Sequence, residues 1–167
     1  MTSAVELRSD SPQRTLQVGA VLGGLLRGGE VVELCGPLGS GKTVFAKGLA
    51  AGLGAAPDEP VVSPTFVLVR TYVGRLTLHH CDAYRLGCVE ELHALGLQEA
   101  LDQGGCVIAI EWADRFPNAL AAPTLRVDLC HEDEHSRGLR IRCDSAALAA
   151  ELTRRLGAAS GVPGCRT

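Results

Sequence analysis

Long apolar runs are missing from the sequence, and so is a secretion signal at its start. No segment approaches the roughly 20 uninterrupted apolar residues that a transmembrane helix requires. Residues 1–10 have neither the basic start nor the apolar centre of a signal peptide. We therefore expect a cytoplasmic protein that has no membrane among its partners.

Paired cysteines and an excess of positive charge are also lacking. The cysteines are odd in number and show no C-x-x-C spacing, which argues against a disulfide framework and favours reduced thiols. They are Cys35, Cys81, Cys88, Cys106, Cys130, Cys143 and Cys165. A formal net charge of -3 argues against a broad basic surface that coats DNA or RNA. A local group of Arg residues could still touch RNA, so any work on RNA is expected to be shared with a partner protein.

The sequence does have enough apolar material for one continuous core. The chain has 167 residues, of which 46% are apolar, and this is the usual size of a single domain. We find no internal repeat. We expect a flexible leader over residues 1–13, one globular domain over residues 14–157 and a flexible tail over residues 158–167.

Hydrophobic periodicity predicts alternating helices and strands. Helices are predicted at residues 15–27, 44–53, 89–101 with a break near Gly96, and from a cap at Asp144 or Ser145 to about residue 156. Strands are predicted at residues 31–35, 66–73, 75–81, 106–110, 125–130 and 139–143. The second and third strands are expected to form a hairpin around Gly74. The strand at residues 106–110 is apolar throughout, which indicates burial on both faces.

A glycine-rich segment joins the first predicted strand to the helix at 44–53. Residues 36–43 (GPLGSGKT) match G-x-x-x-x-G-K-[ST] at every fixed position, with the strand before and the helix after that phosphate binding requires. In such a loop, backbone amides and the helix N-terminus face phosphate oxygens. Lys42 is expected to reach the β and γ phosphates, and Thr43 to offer its hydroxyl to Mg²⁺. The predicted nucleotide-binding residues here are Gly36, Pro37, Leu38, Gly39, Ser40, Gly41, Lys42, Thr43 and Val44.

Two acidic residues follow predicted strands and are candidates for a metal ligand or for positioning the attacking water. Asp82 follows the strand at 75–81, and Glu111 follows the apolar strand at 106–110. The ordinary alternative for each is a solvated acid in a loop. The apolar run before Glu111 favours Glu111. An Asn-Lys-x-Asp element for reading guanine does not occur, so adenine is the expected base.

Further motifs accompany the phosphate loop in a fixed order. They are S-P-T-F at residues 63–66, H-C-D-A-Y-R at residues 80–85 and I-E-W-A-D at residues 110–114. Together they make most of the chain resemble the TsaE family, also called YjeE, which comprises small bacterial ATPases needed to make threonylcarbamoyladenosine (t6A) in tRNA. The resemblance implies a P-loop NTPase-like α/β fold of three layers, whose mostly parallel central sheet is extended by antiparallel strands.

The resemblance also implies a set of functions for particular residues. It implies binding of ATP and Mg²⁺, with Thr43 and Glu111 as metal ligands and Asp82 close by, and makes Glu111, Asp82 and Lys42 the catalytic candidates. Ser63 and Thr65 would form a switch-like loop that senses the γ-phosphate. It implies TsaD and TsaB as protein partners, which the ATPase resets or activates between rounds of transfer to the adenosine beside the anticodon.

Other positions of the same motifs have several possible roles. Trp112, the only Trp, is either a packing aromatic or lies beside the nucleotide or a partner. Tyr84 matches a family position, and Arg85 either faces the phosphates or pairs with an acid. Pro37 replaces an acidic residue common in the family and is expected to stiffen the loop entrance. Cys81 replaces an aromatic residue, which removes packing area next to Asp82.

The histidines do not predict a transition-metal site. His79 and His80 are adjacent in a predicted strand and therefore point to opposite faces of the sheet. His131 and His135 lie among acids in a predicted exposed loop.

Two other functions remain open from the sequence. One is a small-molecule kinase of the P-loop class, which would need an Arg-bearing lid; Arg70, Arg75, Arg85 and Arg115 are present, but they do not cluster in the sequence. The other is a binding module in which ATP acts as a structural or switching ligand without significant turnover.

Overall fold

Seven strands form one sheet in the computed structural model, which describes residues 3–157. The strands are β1 (Ser3–Ser9), β2 (Val31–Cys35), β3 (Val69–Tyr72), β4 (Thr77–Asp82), β5 (Cys106–Glu111), β6 (Thr124–His131) and β7 (Arg137–Cys143). Their order across the sheet is β1-β7-β6-β2-β5-β4-β3. The four central strands β6, β2, β5 and β4 are parallel. At the edges, β7 pairs antiparallel with β6, β1 pairs antiparallel with β7, and β3 pairs antiparallel with β4.

Helices cover both faces of this sheet. They are α1 (Pro12–Leu25), α2 (Lys42–Gly52), α3 (Val89–His93), α4 (Leu97–Gln103) and α5 (Ala146–Leu156), and a 3-10 turn spans Ala113–Arg115. One hydrophobic core lies between the sheet and α1, α2 and α5, and the other lies under α3, α4 and the 3-10 turn. The predicted three-layer α/β fold, with a mostly parallel sheet extended by antiparallel strands, is confirmed. Within residues 3–157, no helix is long and apolar enough to span a membrane.

Most predicted elements are present, and their boundaries follow local signals. All residues of β2 and β5 are buried, as the apolar runs predict. The helical segment after Val89 does break at Gly96, which has a φ of 73°. Of the two caps considered for the last helix, Ser145 is the one observed. Its side chain accepts a hydrogen bond from the backbone N–H of Leu148 in the first turn of α5.

The hairpin is shorter at its start than predicted. β3 begins at Val69 instead of residue 66 and pairs antiparallel with β4. Before it, the backbone N–H groups of Val67 and Leu68 both donate to the carbonyl of Pro64, and Leu68 has a φ of 69°. This turn ends strand geometry, because a strand requires a negative φ.

The predicted flexible leader over residues 1–13 is wrong for most of its length. Ser3–Ser9 form β1, which pairs with β7 over its whole length, and α1 already begins at Pro12. Val5 and Leu7 face the core, while Ala4 and Arg8 are exposed. This alternation is only two apolar residues long, so it becomes a strand only because β7 offers an open edge. The predicted tail at 158–167 lies outside the described residues.

Most of the described cysteines are reduced thiols, as the sequence predicts. Free thiols are present at Cys35, Cys81, Cys88, Cys106 and Cys143. The prediction of reduced thiols is wrong for Cys130, which is disulfide-bonded. Cys165 lies outside the described residues. Burial raises the pKa of the Cys35 and Cys81 thiols to about 12, so both stay protonated near neutral pH.

Glycines allow α1 and α2 to pack with their backbones in contact. A Cβ atom added to Gly48 would lie 2.0 Å from the carbonyl oxygen of Leu16, and one added to Gly52 would lie 2.1 Å from that of Ala20. The close crossing fixes α2, whose first turn carries the last residues of the phosphate-loop motif.

We expect Gly48→Ala to destabilise the protein by about 3 kcal/mol, because its methyl group would meet backbone that moves only if the helices separate. Urea denaturation followed by circular dichroism measures this change. Gly24→Ala in α1 is the matched control, since among residues 3–157 its Cβ would have only the carbonyl oxygen of Gly52 within 4.0 Å. There the higher helix propensity of Ala should leave stability equal or increased. Equal midpoints for the two variants would contradict the close-packing argument.

Candidate functional site

The glycine-rich loop connects the end of β2 to the start of α2. Gly36, Gly39 and Gly41 have φ values of 147°, 75° and 103°. At Gly36 a side chain is also excluded by space, because a Cβ would lie 2.3 Å from the carbonyl oxygen of Leu129. α2 starts after Gly41 with no capping side chain from the described part of the chain. Its first amides are therefore available to an anion.

Lys42 is folded back over this loop. Its Nζ donates to the carbonyl oxygens of Gly36 at 2.7 Å and Pro37 at 2.9 Å. The same Nζ lies 3.8 Å from the ring centroid of Trp112. Burial lowers the pKa of Lys42, although Glu111 and other nearby acids oppose this shift. The ammonium group thus lies at the loop, where it can exchange carbonyl contacts for phosphate contacts.

The two acidic candidates lie side by side at the carboxyl ends of parallel strands. Asp82 ends β4 and Glu111 ends β5, and they are direct partners in the sheet register. Both are buried, with exposures of 2% and 3%. The alternative of a solvated loop acid is therefore wrong for both. Oε1 of Glu111 accepts a hydrogen bond from the Thr43 hydroxyl at 2.9 Å and lies 2.8 Å from Nε2 of His80.

Asp82 ties the S-P-T-F segment to the sheet. Its Oδ2 accepts hydrogen bonds from the hydroxyls of Ser63 at 2.9 Å and Thr65 at 2.7 Å. Its Oδ1 accepts from the backbone N–H of Tyr84 at 2.9 Å. The two hydroxyl donors hold this loop beside Glu111, and the N–H of Tyr84 fixes the carboxylate through its other oxygen.

The motif aromatics form the wall of the site beside the loop. Trp112 adopts a left-handed φ of 60°, and its ring centroid lies 5.1 Å from that of Tyr84. The guanidinium of Arg85 lies 4.2 Å from the ring centroid of Phe66. This ring contact is a further role for Arg85, and the phosphate contact and the acid pair considered from the sequence stay predictions.

A cavity of about 570 Å³ brings most of the predicted site residues together. It is lined by Leu38, Gly39, Gly41, Lys42, Thr43, Val44, Ser63, Thr65, Asp82, Tyr84, Glu111 and Trp112. Ser40 is buried within the loop. Gly36 and Pro37 do not line this cavity. They border a separate cavity of about 500 Å³, together with Arg126 and Arg142.

A further cavity of about 390 Å³ adjoins the first through Gly39, Gly41 and Val44. It includes Ser11 and Arg137, neither of which was predicted from the sequence as a site residue. Nε of Arg137 donates to the carbonyl oxygen of Gly39 at 3.3 Å, across 98 positions of sequence. No local motif marks such a contact. Ser11 could have been found as a cap, since it precedes a helical pattern and does cap α1.

The donor atoms near Thr43 are those that Mg²⁺ prefers. The hydroxyl of Thr43 and the carboxylates of Glu111 and Asp82 are hard oxygen donors. Within residues 3–157, no group of three or more His, Cys, Asp or Glu side chains is arranged to hold a metal ion. The set therefore fits an ion that takes other oxygens from phosphates and water.

Comparison with known proteins shows the family. Residues 9–139 match the family described as threonylcarbamoyl adenosine biosynthesis protein TsaE. The tRNA threonylcarbamoyladenosine biosynthesis protein TsaE of Treponema pallidum (strain Nichols) is 46% identical over 121 residues, which are 72% of this chain and 87% of that protein. The protein of the same name from Nostoc sp. (strain PCC 7120) is 40% identical over 133 residues, covering 77% and 80% of the two chains.

A solved structure agrees with this result. The crystal structure of Bacillus subtilis YdiB superposes with a TM-score of 0.77 at 29% identity, and the match covers 93% of this chain and 97% of YdiB. The family matched over most of the chain is the one that the motifs resemble. The chain belongs to the TsaE family of P-loop nucleotide-binding proteins.

Proposed function

We propose that this protein binds ATP with Mg²⁺ and hydrolyses ATP as part of t6A modification of tRNA at the adenosine beside the anticodon, acting with TsaD and TsaB. The observation that carries the proposal is the convergence of the P-loop residues Lys42 and Thr43 with Asp82 and Glu111 in one cavity. Membership of the TsaE family supports the pathway.

The two adjoining cavities support one orientation of the nucleotide. The β and γ phosphates lie against the amides at the start of α2, with Lys42 turned from the loop carbonyls toward them. The terminal phosphate then faces the cavity that contains Asp82 and Glu111. The nucleoside occupies the cavity bordered by Ser11 and Arg137. This cavity shares the phosphate loop with the first one but contains neither Asp82 nor Glu111.

Thr43 and Glu111 would hold Mg²⁺ beside the phosphates, and Ser63, Thr65 and Trp112 complete the ATP-binding residues. When bound, the ion supplies positive charge that offsets the charge of the phosphate oxygens. Lys42 adds a second positive charge at the same oxygens. Glu111, with Asp82 next to it, orients the attacking water as an acceptor of its proton. Asp82 also holds the hydroxyls of Ser63 and Thr65 close to the terminal phosphate.

Exposed apolar side chains near the cavity support action with partner proteins. Leu38 is 84% exposed, Phe66 83%, Val67 61% and Tyr84 55%. Large apolar groups on a water-facing surface are typical of protein contacts. A partner that covers them would also exclude water from the nucleotide. With a net charge of -3, the chain is expected to meet tRNA through the complex, in the cytoplasm.

The alternative of a lid-bearing kinase gains no support from the arginines. Arg75 donates to the carbonyl oxygens of Gly23 and Leu26, and Arg115 donates to those of Ala83 and Tyr84. Single-turnover assays separate the functions. We expect release of free phosphate that depends on TsaD and TsaB. Transfer of the phosphate to a metabolite would indicate a kinase. Binding of ATP without turnover would indicate a switching module.

Loss of the gene followed by nucleoside analysis of bulk tRNA tests the pathway. We expect t6A to fall strongly in the deletion strain and to return when the wild-type gene is supplied on a plasmid. Other modified nucleosides in the same digest serve as the internal control. A normal t6A level in the deletion strain would contradict the proposed pathway.

A further inference from the structure

His80 lies in the interior of the protein, in contact with the carboxylate of Glu111. It is fully buried, with 0% of its surface exposed, and its Nε2 is 2.8 Å from Oε1 of Glu111. Its other ring nitrogen, Nδ1, is buried and has no hydrogen-bond partner within residues 3–157. A carboxylate only accepts hydrogen bonds, so we assign a ring hydrogen to Nε2, which donates to Glu111.

Glu111 thus has one mobile and one immobile donor. The Thr43 hydroxyl donates to Glu111 at 2.9 Å and belongs to the proposed metal site, and a hydroxyl hydrogen can turn about the C–O bond to another partner. The imidazole of His80 is held in the sheet, where β4 lies between β3 and β5, and its ring centroid is 6.5 Å from that of Tyr72. When the hydroxyl of Thr43 turns toward a ligand, the bond from His80 keeps the carboxylate in place.

We propose that His80 is a positioning residue for Glu111, acting through its Nε2–H hydrogen bond. The inference rests on the proposed function, because it assigns to His80 the orientation of the acid that serves the metal and the water. Loss of a residue that orients a metal ligand typically lowers metal affinity or activity. His80 has no role in the functional assignments drawn from the sequence.

Three variants separate positioning from simple packing. His80→Gln places an amide N–H near the position of Nε2, so it keeps a donor for Glu111. His80→Leu fills a similar space without a donor. His79→Gln is the matched control, because His79 precedes His80 in the same strand, faces the other side of the sheet and meets the Thr71 hydroxyl through Nδ1. Should His80→Leu fail to fold, His80→Asn replaces it, since its shorter amide does not reach Glu111.

The first measurement is calorimetric binding of an uncleavable ATP analogue with and without MgCl₂. We expect Mg²⁺ to tighten binding to the wild type, and His80→Leu to reduce this tightening about tenfold while binding without Mg²⁺ stays unchanged. His80→Gln should recover most of the tightening, and His79→Gln should match the wild type. With TsaD and TsaB present, kcat should fall about 10- to 100-fold in His80→Leu with little change in KM.

Two results would overturn the inference. One is a His80→Leu protein with wild-type Mg²⁺ dependence and kcat, and the other is a His80→Gln protein as defective as His80→Leu at equal thermal stability. In either case the proposed function would stand if the wild type still bound and hydrolysed ATP. A wild-type protein that binds no nucleotide would instead refute the proposed function itself.

Discussion

Lys42→Ala is expected to abolish measurable ATP binding while the fold is retained. Nζ of Lys42 bonds to the nearby loop carbonyls of Gly36 and Pro37 and lies over the ring of Trp112, so its loss removes one ring contact to a distant segment but no hydrogen bond to one. With ATP bound, its ammonium group contacts the phosphates. Losing two charge-assisted hydrogen bonds of about 1.5 kcal/mol each weakens binding by roughly 100-fold or more.

Isothermal titration calorimetry of the purified protein with MgATP measures this loss. Lys47→Ala is the matched control, since Lys47 is on the same helix but is exposed to solvent. It should bind ATP as the wild type does, and circular dichroism should show the same helix content for both variants. An ATP affinity for Lys42→Ala equal to that of Lys47→Ala would refute the assignment of the phosphate site.

Glu111→Ala is expected to keep the binding of metal-free ATP, to lose at least the roughly tenfold Mg²⁺-dependent tightening that His80→Leu loses, and to lose turnover by about 100-fold or more. An acid that positions water or metal stabilises the transition state more than the bound substrate, so kcat falls by more than the affinity for MgATP does. The substitution also leaves the donors of Thr43 and His80 without an acceptor, which costs about 1–3 kcal/mol of stability. Glu111→Gln keeps an acceptor oxygen and should lose turnover with a smaller loss of stability.

Single-turnover hydrolysis with TsaD and TsaB, measured beside calorimetry of the same samples, distinguishes binding from chemistry. Glu99→Gln provides a control for charge, because Glu99 is an exposed residue of α4 away from the cavity. It should hydrolyse ATP at the wild-type rate. Normal hydrolysis by Glu111→Ala would move the catalytic role to Asp82, its neighbour in the sheet register.

Local patterns predicted the parts of the site that depend on adjacent residues. The strand, loop and helix around Lys42 were predictable because a buried apolar run, three glycines with positive φ and a helical repeat follow one another without interruption. The acids at strand ends were also predictable, since parallel strands bring their carboxyl ends to one edge. β1 was missed because its pairing partner β7 lies near the other end of the chain.

The direction of each side chain was beyond local prediction. Arg85 lies on Phe66, and Asp82 is engaged by Ser63 and Thr65, because these contacts depend on how the loop before β3 folds back. The cavity with Ser11 and Arg137 is built from the start of α1, the P-loop and the start of β7. Contacts of this kind arise from packing between distant segments. They leave no periodic pattern in the sequence of either segment.

By itself, the sequence determined the order of most strands and helices, the phosphate loop and the family to which the chain is similar. Each of these depends on residues that are close together in the sequence, through their periodicity, φ preference and motif spacing. Only the tertiary structure decided that His80 contacts Glu111, that Lys42 donates hydrogen bonds to loop carbonyls and that β1 pairs with β7 at the edge of the sheet. The reason is physical: burial and hydrogen-bond partners are set by which distant segments meet, and that is settled only when the whole sheet is assembled.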